Sequence, residues 1–184
     1  MINVNRIVED LLAKYNINEP PIKVEEIAKE NLNIIVVRRP YKAENKLAAM
    51  LIRDEDSGKV IIALNGDHKK EKQRFSIAHE IGHFLLHPAE KLFVDREFSV
   101  EYRDSRASIG KHIKEIEANR FAGNLLVPKR FLVEDLRNYL SEKNVDKIKI
   151  SRELSKRYEV STNTINIRIN SLLDELDGST KNTM

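Results

Sequence analysis

The chain has 184 residues, 41% hydrophobic and 33% charged side chains, a formal net charge of +3 and no cysteine. That length fits one domain, or one domain with a small appendage, and the apolar share is enough for a core. The absence of cysteine excludes disulfides and thiolate metal ligands, and no run approaches the roughly eighteen apolar residues of a membrane span. The charge neither demands nor excludes a nucleic-acid partner, and Met1-Ile2-Asn3-Val4-Asn5-Arg6-Ile7 has no signal-peptide pattern, so a cytoplasmic location is expected.

Val4, Ile7, Val8, Leu11, Leu12 and Tyr15 form a helical stripe, which Glu19-Pro20-Pro21 breaks before a short helix around Val24, Ile27 and Ala28. Ile34-Ile35-Val36-Val37 reads as a strand, and Leu47–Arg53 and Lys59–Leu64 flank Asp54-Glu55-Asp56-Ser57-Gly58 as a hairpin. The hairpin edge is a place where an extended peptide could add as a strand. Phe75, Ala78, Gly82, Leu85 and Leu86 then recur at helical spacing until His87-Pro88. Residues 88–110 read as a long loop at the rim of a cleft, with a short strand near Leu92–Val94. A helix from about Lys111 to Leu126 stops at Pro128, and Phe131, Leu132, Leu136, Tyr139 and Leu140 mark the next. Two more helices, Ser151–Tyr158 and Ser161–Leu176, each follow a serine that can serve as a cap. Strands followed by helices give an α+β layout. We divide the chain into 1–128, a C-terminal helical region at 129–176 that packs on it, and a polar tail at 177–184 expected to be disordered.

His79-Glu80-Ile81-Gly82-His83 carries the chemistry. Residues i and i+4 share a helix face, so both imidazoles can bind one metal ion while Glu80 points to the water on it. H-E-x-x-H is the metalloprotease spacing, with the glutamate as general base. The alternative is a helix with two surface histidines and a solvated glutamate. Polar histidines on an otherwise apolar helix need partners, which favours the metal. Gly82 costs a helix interior about 1 kcal/mol relative to alanine, so another segment or a substrate passes close to it, unless it is a simple packing glycine.

A catalytic zinc site needs a third protein ligand. Glu115, Ala118, Asn119 and Ala122 share one helical face, on which small residues let a second helix approach while Glu115 reaches the metal. Glu117 lies about 200° around the helix from Glu115, so only one of the pair can face the ion, and the face favours Glu115. Asn119 is placed to hold the outer nitrogen of a ligating histidine. Tyr102, Arg103 and His112 are candidates for an oxyanion donor.

Arg74-Phe75-Ser76-Ile77-Ala78-His79-Glu80-Ile81-Gly82-His83, together with Glu115-Ile116-Glu117-Ala118-Asn119-Arg120-Phe121-Ala122 and Leu125-Leu126-Val127-Pro128, resembles the ImmA/IrrE family of metallopeptidases. The resemblance implies a zincin-like α+β domain, with a small antiparallel sheet packed on the active-site helix and a small helix-turn-helix-like C-terminal part. It also implies zinc held by His79, His83 and Glu115, with Glu80 as the base. The implied substrate is a helix-turn-helix repressor, cleaved to derepress genes. Gly123-Asn124 and Val127 depart from the family's common Ala-Glu and Met, which bears on substrate preference more than on zinc.

A DNA-binding reading competes, through a C-terminal helix-turn-helix within 142–176. Thr162, Asn163, Asn166 and Arg168 would face a groove beneath a stripe of Ile165, Ile169, Leu172, Leu173 and Leu176. Lys143, Lys147, Lys149, Arg152, Lys156 and Arg157 would meet phosphates, with Asp174, Glu175 and Asp177 offsetting them.

Overall fold

The structure, a computed structural model, describes residues 2–40, 47–89, 92–96, 106–140 and 146–181. Helix α1 (Val4–Lys14) is capped by Asn3, whose side chain accepts the Arg6 N–H at 3.1 Å, and buries Val4, Val8, Leu11 and Leu12. A short α2 (Val24–Glu26) runs into a π-helical turn (Ile27–Asn31). Strands β1 (Ile34–Arg39), β2 (Leu47–Arg53) and β3 (Val60–Asn65) precede α3 (Lys70–Leu86). Then come β4 (Leu92–Arg96) and helices α4 (Arg106–Leu126), α5 (Lys129–Leu140), α6 (Lys147–Tyr158) and α7 (Thr162–Lys181). The class is α+β, as expected.

The sheet order is β1-β3-β2-β4. β2 and β3 form the expected antiparallel hairpin, with Leu51 opposite Ile62. Its turn is held by Asp54, which accepts the Ser57 hydroxyl at 2.5 Å and the Asp56 N–H at 3.2 Å. The outer flank of β3 is taken by β1, which runs parallel to it, so the sheet is mixed and not antiparallel throughout. The tight turn reverses β3 against β2, and β1 runs in the sense of β3. The other flank of β2 is covered by β4, antiparallel. Neither hairpin strand is therefore an edge, which corrects the expectation of a peptide added there; the edges are β1 and β4.

The sheet lays Ala49, Leu51, Ile62 and Leu64 against α3, while α4 covers the opposite side of that helix. Sandwiched this way, every residue from Ser76 to His83 is buried, the condition of a helix without a solvent face. Gly82 lets α4 approach. A Cβ there would lie 3.1 Å from Phe121 Cδ1 and 3.2 Å from the Ala118 Cα. Gly82→Ala should therefore destabilise the protein. Overpacking costs about 1–3 kcal/mol, against at most about 1 kcal/mol regained in helix propensity. Thermal melts would show it, and an unchanged or higher midpoint would mean that α4 yields freely.

One buried cluster continues from this layer into the C-terminal helices through Ile150, Leu154, Tyr158, Val160, Ile165 and Leu172. Arg74, in α3, donates to the backbone oxygens of Ile22 (3.0 Å), Tyr158 (3.3 Å) and Glu159 (3.0 Å). Asp135 of α5 accepts the Tyr158 hydroxyl at 2.8 Å and Arg157 Nε–H at 2.9 Å. Two expectations change here. Helix α6 begins at Lys147 under an Asp146 cap, which accepts the Ile148 N–H at 2.9 Å, and not at Ser151. Helix α7 has the expected Ser161 cap, accepting the Thr164 N–H at 3.1 Å, but continues to Lys181, so residues 177–181 of the tail read as disordered are helical. No described helix is long and apolar enough to cross a membrane.

At the base of α2, Arg38 makes two hydrogen bonds to Glu25, at 2.5 and 3.0 Å, and Lys29 approaches it at 2.7 Å. The Arg38 hydrogen bonds, helped by Lys29 and opposed by partial burial, pull the Glu25 carboxyl down to about 2. A carboxyl lowered on folding adds stability above its unfolded pKa and loses it as the pH falls through the folded value. Glu25→Gln should thus cost about 1 kcal/mol or less at neutral pH, the pair being solvent-exposed. The gap to the parent should close between pH 4.5 and about 2 in melts across pH. A gap independent of pH would rule out this linkage.

Candidate metal centre

His79 and His83 stand one turn apart on α3 with their Nε2 atoms 2.9 Å from each other. From α4, Glu115 reaches in, placing Oε2 3.2 Å from His79 Nε2 and Oε1 3.5 Å from His83 Nε2. One ligand atom from each of the three lies within 4.8 Å of the others. The close approach has a local cause: Ala118 on α4 is fully buried and faces the glycine of α3. His79 and His83 are 2% and 0% exposed, and Glu80 between them is 0% exposed.

The hydrogen atoms follow from the partners. His79 Nδ1 is 3.1 Å from the Asn119 side-chain oxygen, which can only accept, so Nδ1 carries the hydrogen. His79 Nε2 is left facing His83 Nε2 and the Glu115 carboxylate, the direction from which a ring nitrogen binds a metal. Burial pushes His83 down to about 4, against the opposing pull of Glu115, so it is neutral at pH 7, the form that binds metal. Burial opposes ionisation of Glu115, yet its contacts with His79 and His83 hold its carboxyl below the usual range. Two imidazole nitrogens and one carboxylate match the protein donor set of a catalytic zinc site.

The profile of the IrrE N-terminal-like domain family, Peptidase_M78, matches residues 29–170. The chain belongs to this family. The match opens in the π-helical turn and closes in α7, so it encloses both helices of the metal cluster. Among solved structures, a Mycobacterium tuberculosis transcriptional regulator superposes with a TM-score of 0.57 at 16% identity, covering 89% of this chain. The chain spans 44% of that protein's length, and at this identity the likeness speaks for the fold alone. Comparison with curated protein sequences gives no match.

In this IrrE-like chain Glu117 turns away from the cluster, its Oε2 3.7 Å from His87 Nε2. His87 is a site neighbour that the sequence reading passed over. It is buried, its ring centroid is 5.5 Å from that of His83, and its Nε2 lies 3.4 Å from the Lys114 carbonyl oxygen. The signal was available, because His79, His83 and His87 repeat at intervals of four. Of the proposed oxyanion donors, Tyr102 and Arg103 lie outside the described residues, and His112 is exposed on α4.

The C-terminal helices depart from the DNA-binding expectation at one residue that mattered to it. Arg168 does not face a groove: it is 5% exposed and donates Nε–H to the Val127 carbonyl at 3.1 Å. Thr162, Asn163 and Asn166 are exposed. Leu173, placed on the apolar stripe, is 54% exposed.

Proposed function

We propose that the protein is a zinc-dependent metallo-endopeptidase of the cytoplasm, and that its substrate is a helix-turn-helix transcriptional repressor. The observation that carries the peptidase reading is the convergence of His79, His83 and Glu115 beside a fully buried Glu80. The substrate rests on the family resemblance.

His79, His83 and Glu115 would hold a zinc ion, which when bound would supply Lewis acidity for the scissile carbonyl and an acidified water. Glu80 then takes a proton from the attacking water and returns it to the departing amine. Asn119 fixes the His79 tautomer and ring orientation. The buried walls of α3 keep bulk water from the imidazoles. Arg53, donating to the Phe84 carbonyl at 3.0 Å, ties β2 to the last turn of α3, and the edge strand β4 beyond it offers backbone groups to an extended peptide. The alternative, DNA binding through α6 and α7, loses its one recognition arginine to burial.

The test is to incubate the zinc-loaded protein with the repressor encoded beside it and resolve the products by mass spectrometry. Discrete fragments are expected, absent after chelation and restored by zinc. An intact repressor with zinc bound at one ion per chain would overturn the proposal.

A further inference from the structure

A cavity of about 960 Å³ opens between the start of α3, the middle of α4 and the first turns of α7. Asn119, which holds His79, forms part of its wall, and so does Phe75, one turn before His79. The cavity therefore abuts the metal cluster. Its described wall is cationic: Lys69, Lys72, Arg120 and Arg168 line it against one acidic side chain, Glu71.

Arg168 sets the chemistry. It is 5% exposed, and its bond to the Val127 carbonyl is the only hydrogen bond it makes among the described residues. A guanidinium has five N–H donors, so most of them are left for a ligand. Burial lowers its pKa, with Glu175 opposing and the charge of Arg120 adding to the pressure. An anion entering the cavity would relieve both arginines. Gly123 leaves the space Arg168 occupies, since a Cβ there would come within 3.4 Å of Arg168 Cδ. In the same wall Asn124 is 3% exposed; its amide nitrogen donates to Asn5, and its oxygen accepts no hydrogen bond among the described residues. Two guanidiniums in one wall suit carboxylates, which accept charge-assisted hydrogen bonds from them. A duplex backbone is too broad to reach a side chain this deeply covered.

We infer that this cavity is an exosite for an acidic segment of the polypeptide substrate, with Arg168 and Arg120 meeting its carboxylates and the chain leading past Asn119 to the metal cluster. Its role in cleavage rests on the peptidase reading; the binding does not. The experiment is fluorescence anisotropy on the full-length Glu80→Gln protein, which is read without any turnover. The probes are a short labelled peptide of alternating glutamate and serine and its glutamine counterpart.

The glutamate peptide is expected to bind about tenfold tighter or more, the scale of a charge-assisted contact. Arg120→Gln, at an exposed position, should reduce that preference severalfold without moving the thermal midpoint, and Arg168→Lys should weaken it further. Equal affinity for the two peptides, or a preference that Arg120→Gln leaves unchanged, would overturn the inference. So would displacement of the glutamate peptide by equal concentrations of inorganic phosphate or duplex DNA. Repressor cleavage without acidic preference sinks the exosite alone, whereas acidic preference without cleavage sinks the peptidase alone.

Discussion

Replacing Glu80 with glutamine is expected to leave zinc bound and to slow peptide cleavage by about 10²–10⁴-fold, the share general-base catalysis contributes. The amide has the shape of the carboxylate, so the fully buried position is filled as before and packing should change little. What goes is the group that takes the proton, since an amide cannot accept it at neutral pH. The proposed ligands His79, His83 and Glu115 would reach the ion through their own nitrogens and oxygen, so metal content should stay at one ion per chain. Atomic emission measures the zinc, and a quenched peptide spanning the cleavage site measures the rate. Cleavage at the parent rate would remove Glu80 as the base. Loss of zinc together with activity would make its role structural.

Glu115→Ala should weaken zinc by more than about 100-fold, beyond the 10–100-fold that an outer-shell change costs. The carboxylate is the one proposed ligand from α4, and its oxygens lie 3.2 and 3.5 Å from the two imidazole nitrogens. Removing it leaves two neutral donors on one helix and no charge to balance a dication. Asn119→Ala should fall within the outer-shell range, because His79 keeps its nitrogen but loses the partner that fixes tautomer and angle. Glu117→Ala should leave zinc affinity unchanged, since that side chain faces His87. Competition with a chromogenic chelator ranks the three. Equal losses at 115 and 117 would break the assignment of the third ligand.

How much of this was legible beforehand depended on the range of the interaction. Spacing within a helix is local: His79 and His83 at four residues, and the small face of Ala118 and Ala122 around Glu115, pick out side chains that the structure brings together. The hairpin was equally local, because Asp54 and Ser57 close its turn. The placing of β1 and β4 was not, because nothing in Ile34–Val37 says whether it will flank β2 or β3. Polar contacts to backbone were hidden for the same reason. Arg168 looked like a surface reader of DNA because its acceptor, the Val127 carbonyl, is distant in the chain. Helix α6 starts ahead of Ser151 because Asp146, and not a serine, supplies the cap. His87 was overlooked although its spacing was regular, since the first two histidines already completed a motif.

The anchoring of Arg74 has a consequence for how the two ends of the chain can diverge. Three of its acceptors are main-chain oxygens, at Ile22, Tyr158 and Glu159. Those three contacts recognise the path of the polypeptide, and the Glu159 carboxylate, 3.3 Å from Arg74 Nη1, adds a side-chain contact to them. Glu159 holds that path in the left-handed conformation, with φ 52°, where glycine or asparagine would sit at ease and a β-branched residue would not. Drift around residue 159 is thus steered by backbone shape. A lineage that straightened this bend would unfasten the front of the metal-bearing helix from afar, without touching a single ligand.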